Sequence, residues 1–297
     1  MLTRRQFTRV FCLIRLAFAA VVVSGLGACA QGPTASQIAP WRDAIGAVRD
    51  QSDAAFAATN ALARDNQIAF AITQPRLNET LFHPALDSES IRAWDASLDV
   101  LATYAAGVTT LVDPSGSAAT GATAAALAQR ISLEARSTVF TQRPGLSSAI
   151  AKVGAALAQA RASAAARDIV AGADPAVQSL LQAMRDAISQ TDAEGTQTGV
   201  IAAVQSNWSL RLAEVQVKYL SPGADRAELA AEYADILSRR DAAIVTLSGL
   251  QRSIDSLAAA HAQLALGQPV DIPTILAQAR EYAAAARDVL ADLQPAH

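Results

Sequence analysis

Apolar side chains recur at steps of three and four residues along nearly the whole chain after residue 37, which is the period of an amphipathic α-helix. The clearest case follows Ser88, where the pattern runs without a break to a stop signal, Asp-Pro-Ser-Gly, at residues 113–116. Its apolar positions are Ile91, Trp94, Leu98, Leu101, Ala105, Val108 and Val112. Because no stretch shows the alternation of a convincing strand, the pattern predicts an all-α protein.

Four other segments show the same helical period. They predict helices over about Ser36–Ile72, Ala118–Phe140, Leu146–Ala171 and Ile272–Leu293. Two prolines mark residues 73–87 as an irregular loop, because proline does not continue a helix. All three tryptophans, Trp41, Trp94 and Trp208, lie on apolar stripes, so we expect them in the core.

The longest predicted elements form a helical hairpin. One arm covers residues 175–220, with Asp174 as its N-cap and Pro175 at its first position. The other arm continues to Leu266 after a Ser-Pro-Gly turn at residues 221–223. At about 1.5 Å per residue, each arm would be roughly 60–70 Å long. The predicted fold is therefore an elongated helical bundle of six or seven helices with a long antiparallel helical hairpin.

Two polar residues interrupt the apolar seam of this hairpin. Counting equally in both directions from Pro222 places Arg240 opposite residues 204–205 and His261 opposite residues 183–184. Polar residues in such a seam commonly fix the register of the two helices.

The middle of the first arm, residues 191–199, is unusually polar and contains two glycines. Each glycine costs a helix about 1 kcal/mol relative to alanine, so this segment is a kink, a break into two helices or one wall of a cleft. The residues of a possible polar seam or cleft are Thr191, Glu194, Thr198, Gln205, Arg240 and His261.

The N-terminal residues have the pattern of an export signal. Residues 1–15 hold four arginines and no acid, and the apolar run of residues 16–28 is shorter than the roughly 20 residues that span a bilayer. The run ends in Leu-Gly-Ala-Cys at residues 26–29, which resembles the lipobox of bacterial lipoproteins. The resemblance implies that residues 1–28 are removed as a signal peptide and that Cys29 receives acyl chains such as palmitate. Residues 29–37 would then be the lipidated cysteine and its tether, and residues 38–297 the helical bundle domain.

The same segment is similar to a twin-arginine signal. Residues 3–7, Thr-Arg-Arg-Gln-Phe, match the pattern Ser/Thr-Arg-Arg-x-Phe, so the resemblance implies that Arg4, Arg5 and Phe7 are recognised during export. Residues 8–9, Thr-Arg, depart from the Leu-Lys that often follows. A general secretory signal that happens to contain two adjacent arginines is the alternative.

Charge and cysteine content limit which partners and which covalent cross-links we expect. Removing residues 1–28 takes four arginines from the 24 basic residues and none from the 27 acidic residues, which leaves 20 against 27, a formal net charge of −7. A chain this acidic is a poor candidate for binding nucleic acid, since phosphate contacts need clustered Lys and Arg. Cys12 would leave with the signal and Cys29 would be lipidated, so no disulfide would remain. In the bacterial lipoproteins that this segment resembles, an Asp directly after the lipidated cysteine favours the inner membrane. Ala30 stands at that position, so the resemblance implies the outer membrane.

The sequence offers no clear reactive constellation. None of its three histidines, His83, His261 and His297, has a second His or a Cys at metal-ligand spacing. Neither a phosphate-binding glycine loop nor a nucleophile elbow is present, since both need a preceding strand. We therefore expect no metal, no cofactor and no catalytic residue.

The predicted function is a non-catalytic helical scaffold or adaptor that is anchored by lipid, faces the periplasm and binds an envelope protein partner. The alternative is a small-molecule or metal-binding lipoprotein with a cleft near residues 191–205. A pocket that encloses several polar groups would favour the alternative, whereas a filled core with an exposed apolar patch would favour a protein partner.

Overall fold

The computed structural model describes residues 33–112, 120–140, 143–160 and 166–293. Residues 33–297 form one compact unit. The signal segment, Cys29 and the signal-recognition residues Arg4, Arg5 and Phe7 lie outside the described residues, as does the stop signal at residues 113–116.

The described part of the chain contains eight α-helices, so the predicted all-α helical bundle is confirmed. Their bounds are α1 Ala35–Ile72, α2 Ser88–Val112, α3 Thr120–Glu134, α4 Pro144–Ala160, α5 Ala166–Ile188, α6 Val200–Tyr219, α7 Arg226–Ala265 and α8 Ile272–Asp292. Two 3₁₀ turns, Glu79–Leu81 and Thr138–Phe140, and two short strands, β1 Gln190–Thr191 and β2 Gln197–Thr198, complete the elements.

Local side-chain hydrogen bonds fix where several helices begin. The carboxylate of Asp225 accepts from the backbone N–H groups of Ala227 and Glu228 at the start of α7. At the start of α8, Asp271 accepts from the N–H of Thr274 in the same way. An N-cap carboxylate satisfies N–H groups that have no partner inside the helix and also interacts favourably with the helix dipole.

The core is built around α1 and α7. Helix α1 packs against α2, α7 and α8, while α7 packs against α1, α5, α6 and α8. Helices α3 and α4 pack against each other and extend the bundle from α2 and α5. All three tryptophans are buried, as the apolar stripes predicted.

The first arm of the predicted hairpin is not one helix. Helix α5 ends at Ile188 and α6 begins at Val200, and between them β1 and β2 pair antiparallel with Gln190 opposite Thr198. The Asp192 carboxylate accepts from the N–H groups of two residues in the intervening turn, and this local bonding competes with the helix. Of the options left open by the sequence, the structure therefore has the break.

The predicted helix start at Asp174 and Pro175 is also wrong. Helix α5 begins at Ala166 and continues through Pro175, which lies inside it. The buried apolar stripe crosses this point, with Ile169, Val170, Ala173, Ala176 and Val177 all on it. Proline costs the helix one backbone hydrogen bond, but breaking the helix would interrupt this stripe.

The turn between α6 and α7 has the predicted position, and Gly223 adopts a positive φ of 79° there. The register near the turn is also confirmed, because the guanidinium of Arg211 pairs with Glu232, which equal counting from Pro222 places opposite residue 212.

Two glycines of the segment between α5 and α6 provide a matched test of this geometry. Gly199 has φ 87° and ψ −169°, a conformation that is nearly restricted to glycine, and an added Cβ would lie 2.9 Å from the carbonyl oxygens of Ala187 and Ile188. Gly195 has φ 83° but open space around its Cα. We expect Gly199→Ala to destabilise the protein by about 3 kcal/mol or more and Gly195→Ala by about 1–2 kcal/mol. Chemical denaturation checks both values, and equal costs would contradict the close backbone approach at Gly199.

Candidate functional site

Three polar side chains from three helices form a hydrogen-bonded chain inside the bundle, which we call the buried triad: Tyr104 of α2, His261 of α7 and Asp174 of α5. The Tyr104 hydroxyl lies 3.0 Å from Nε2 of His261, and Nδ1 of His261 lies 2.7 Å from Oδ1 of Asp174. Tyr104 and His261 are each 1% exposed, while Asp174 reaches partly to the surface. The triad therefore links α2, α7 and α5, and its hydrogen bond between Tyr104 and His261 is shielded from water.

Two neighbouring side chains extend the triad to α1 and along α7. The indole Nε1 of Trp41 in α1 donates to the carbonyl of Leu257 at 3.1 Å, and the Trp41 ring lies 5.0 Å from the ring of His261 and 6.1 Å from that of Tyr104. The Gln178 amide donates both to Asp174 and to the carbonyl of Ala258. These contacts thus join α1, α2, α5 and α7 at one position along the bundle.

The hydrogen bonds account for both ring nitrogens of His261. An ionised Asp174 accepts from Nδ1–H of His261, and Nε2 shares a hydrogen bond with the Tyr104 hydroxyl. Both ring nitrogens of His261 and the Tyr104 hydroxyl thus have a partner, which matters because an unpaired buried polar group costs about 1–3 kcal/mol.

The electrostatics support this arrangement. Burial alone would raise the pKa of Asp174, but the hydrogen bonds from His261 and Gln178 and the charge of His261 outweigh it, so the pKa lies below its ordinary value. Burial, followed by the charge of Asp174, raises the pKa of the Tyr104 hydroxyl, which therefore keeps its proton.

An Asp–His pair beside a hydroxyl is also the arrangement used in nucleophilic catalysis, where the hydroxyl must contact the substrate. Here the hydroxyl belongs to a buried tyrosine with a raised pKa, which makes it a poor nucleophile and keeps it away from any substrate in solution. The geometry supports cross-linking of helices.

The six residues of the predicted polar seam or cleft do not share one site. His261 is buried, as expected for a seam residue, but Asp174 lies against it and not residues 183–184. Strands β1 and β2 and the turn between them lengthen the chain without extending it along α7. Beyond them, the pairing of α5 with α7 is therefore shifted by several residues from equal counting. Arg240 is partly exposed and pairs with its neighbour Asp241. The remaining four, Thr191, Glu194, Thr198 and Gln205, are exposed.

Two members of the triad were missed as functional candidates. Asp174 was interpreted as a helix cap because it precedes a proline. Tyr104 lies three residues after Leu101 on the stripe of α2, where a hydroxyl needs a buried partner, and that requirement is the signal that could have found it.

A second feature is the end of the α6–α7 hairpin, residues 208–236, which we call the hairpin arm. At its base, Asn66 of α1 donates to Asn207, and Asp65 of α1 pairs with Arg239. Towards the turn, all of residues 216–231 are exposed except Ala224 and Leu229, which are partly buried. The end of the arm therefore stands in solvent.

Inside the arm, a charged cluster lies between the two helices. The guanidinium of Arg211 is nearly buried and pairs with Glu214 and Glu232, while Lys218 pairs with Glu214 at 2.7 Å. Burial would raise the pKa of Glu214, but the hydrogen bonds and charges of Lys218 and Arg211 lower it below its ordinary value. The cluster fixes α6 against α7 beyond the main core.

Helix α6 carries apolar side chains on two opposite faces. One face, with Val204, Trp208, Leu212 and Val215, is buried. The other, which we call the outer stripe, consists of Leu210, Ala213, Val217 and the C-cap residue Leu220, at steps of three, four and three residues. Its three large side chains are 67%, 69% and 71% exposed, respectively. At about 100° per residue, the two faces lie roughly opposite each other.

The surface formed by the described residues includes several open grooves. Between α1 and α8, a groove of about 370 Å³ is lined by Arg42, Asp43, Asp50, Arg280 and Arg287 with small residues. A groove of about 260 Å³ lies between α2 and α3, and one of about 270 Å³ lies on the hairpin arm beside Tyr219 and Tyr233.

Among the described residues, no group of three His, Cys, Asp or Glu side chains is placed to hold a metal ion. In the same part of the chain, none of the helices has the length and apolar character needed to cross a membrane.

Comparison with protein-family models, with curated proteins and with solved structures finds no match for this chain.

The inner hydrogen bond of the triad can be tested by removing one hydroxyl. We expect Tyr104→Phe to lower the free energy of unfolding by about 1–3 kcal/mol, because Nε2 of His261 loses its buried partner. Tyr233→Phe is the control, since the Tyr233 hydroxyl is partly exposed and makes no hydrogen bond to the described residues; its effect should stay within about 0.5 kcal/mol. Urea titration of both variants measures the difference, and equal stability would contradict the Tyr104–His261 bond.

The outer hydrogen bond predicts a pH dependence. Because the pKa of folded Asp174 lies below its unfolded value of about 3.9, its stabilising contribution is fully present above that value and is lost as the pH falls through the folded pKa. Asp174→Asn should therefore be less stable than wild type at neutral pH, and the gap should narrow as the pH falls below about 4. Denaturation curves between neutral and acid pH check this, and a gap that does not change with pH would show that the carboxylate is not specifically stabilised.

Proposed function

We propose that this protein is a lipid-anchored, periplasm-facing lipoprotein that acts as a non-catalytic helical scaffold for an envelope protein partner. The observation that carries the anchor is the Leu-Gly-Ala-Cys sequence at residues 26–29, directly after a short apolar run and an arginine-rich start. Two acyl chains on one cysteine make a stable membrane attachment, whereas one chain alone binds reversibly.

The buried triad and its neighbours support a scaffold because their polar groups are already paired. Tyr104, His261, Asp174 and the Gln178 amide form one hydrogen-bonded chain, the Trp41 indole donates to the carbonyl of Leu257, and an open acceptor or donor is what a ligand would need there. Cross-links between four helices also hold the surface in one conformation, which reduces the entropy lost when a partner binds.

The exposed surface supports a protein partner. Ten large apolar side chains of the described residues are exposed, and Leu210, Val217, Tyr219 and Leu220 fall within one short stretch of the hairpin arm. Exposed apolar surface that is concentrated in one place is typical of interaction sites.

The ligand-binding alternative has less support. It requires a cleft near residues 191–205, but the polar residues predicted for that cleft are exposed on the β-hairpin and α6. The triad is enclosed, but its hydrogen-bonding groups are already occupied.

The proposal is tested at Cys29, with the second cysteine of the chain as a matched control. We expect wild type and Cys12→Ala to incorporate labelled palmitate and to sediment with membranes, and Cys29→Ala to lose the label and to shift to the soluble fraction. The reason is that only Cys29 follows the small residues that a lipoprotein signal peptidase would need. Affinity purification from detergent-solubilised envelopes then asks whether a protein partner is recovered with the lipidated forms.

Membrane sedimentation of Cys29→Ala equal to that of wild type would reject the anchor. Loss of label in Cys12→Ala as well would mean that the cysteines affect export in general and not lipid attachment. If the lipidated protein is recovered without any partner, the scaffold role is rejected even though the anchor stands.

A further inference from the structure

The end of the bundle at which α1 begins brings six helix ends together. Trp41 of α1 contacts Leu257 of α7, whereas Asp65 of α1 pairs with Arg239, so α7 runs antiparallel to α1 and ends beside its start. The order of the other contacts places the end of α2, the start of α3, the end of α4 and the start of α8 at the same end. We call this surface the neutral end: residues 33–41, 100–112, 120–129, 153–160, 256–266 and 272–279.

The neutral end carries almost no charge. None of its six segments contains an Asp, Glu, Lys or Arg. Outside the buried triad, the charged residues next to these segments and at the start of α5 are few and of both signs: Asp113, Arg161, Arg167, Asp168 and Asp271. At about 1.5 Å per residue, the uncharged stretch runs about 10 Å along α1 from Ala35 to Arg42 and about 16 Å along the last turns of α7.

We propose that the neutral end faces the lipid surface to which Cys29 is anchored, with the hairpin arm directed away from it. This inference rests on the proposed lipid anchor. Three residues, 30–32, separate Cys29 from Pro33, the first described residue, so the chain between the two spans at most about 14 Å. Since α1 begins at Ala35, the tether holds the helical unit by this end.

A short tether allows the bundle to stand on the neutral end or to lie along the bilayer, and charge decides between the two. Without residues 1–28 the chain has a formal net charge of −7, and anionic lipids repel acidic groups within about a Debye length, roughly 8 Å at physiological ionic strength. Standing keeps the charges of α1 beyond that distance. Lying down would bring exposed carboxylates such as Asp50 and Asp53 within it and would cost them part of their hydration.

This orientation sets the height of the hairpin arm. Helix α7 has 40 residues, which corresponds to a length of about 60 Å. Its end at Ala265 belongs to the neutral end, and its start at Arg226 follows the hairpin turn. The hairpin turn therefore lies about 60 Å from the lipid surface, so a partner that binds the arm does not need to contact the bilayer.

The test measures energy transfer from a fluorophore on the lipidated full chain to acceptor-labelled lipids in vesicles of phosphatidylcholine and phosphatidylglycerol. One variant carries the fluorophore at Gln268→Cys, between α7 and α8, and the other carries it at Ser221→Cys, in the hairpin turn; both positions are exposed. We expect several-fold more efficient transfer from Gln268→Cys, because the two turns are about 60 Å apart along α7. Wild type should take up no thiol-reactive fluorophore, since Cys12 is removed and the sulfur of Cys29 is a thioether.

Two pairs of substitutions in the Gln268→Cys background test the role of charge. Gln159→Glu with Gln263→Glu adds two carboxylates to the neutral end, and the matched control, Gln205→Glu with Gln216→Glu, adds two to α6; all four positions are exposed. On anionic vesicles at low salt, the first pair should lose much of the transfer and the control pair should keep it. High salt should restore the transfer, because it screens exposed charges.

Three outcomes would overturn the proposal. Equal transfer from the two labelled positions would mean that the bundle lies along the bilayer, for example on the arginine-lined groove between α1 and α8. Greater transfer from Ser221→Cys would mean that the arm points to the membrane, and an equal response of the two glutamate pairs would reject the role of the neutral end. Failure of the anchor is recognised separately, because wild type would then take up the fluorophore at Cys29 and would not float with the vesicles.

Discussion

The two hydrogen bonds made by the ring nitrogens of His261 are the interaction on which the packing of α1, α2, α5 and α7 depends. His261 lies at 1% exposure between a phenol and a carboxylate, so its position on α7 is determined by residues of two other helices. Apolar stripes alone tolerate sliding by one turn, since Ala and Leu positions repeat. Hydrogen bonds to both ring nitrogens of His261 do not tolerate such sliding, because a shift by one turn would leave buried polar atoms without partners. The triad therefore fixes a register that hydrophobic burial leaves open.

The same requirement explains where sequence reasoning about the fold succeeded and where it failed. The helical period found α1 and α2 nearly to the residue, because each carries an apolar stripe of helical period along its length. It failed at Asp174 and Pro175, since a local cap signal and a long-range hydrogen bond use the same carboxylate. It also left the break at residues 189–199 open, because two glycines indicate an interruption but not its shape. Local sequence signals predict helices and turns. Where two local signals compete, hydrogen bonds between residues distant in sequence decide which one the structure follows.

The candidate sites differ in how visible they are in the sequence. Tyr104 and His261 are separated by 157 positions, and no periodic pattern connects them. The outer stripe, by contrast, is present in the sequence as a heptad-like run. It was not separable there, because α6 has apolar residues on two opposite faces, and a single sequence does not say which face the next helix covers. Only the position of α7 in the structure shows which face of α6 is buried and which is exposed.

The molecule thus combines a cross-linked polar level at one end of α7 with an exposed apolar stripe beside the other end. An uncovered stripe of this kind is an aggregation hazard in a freely diffusing protein. Charge reduces the hazard in general, since the chain without residues 1–28 has a formal net charge of −7. The Arg211 cluster holds the two helices of the arm together where the main core no longer covers them, so the exposed stripe stays on a fixed helical surface.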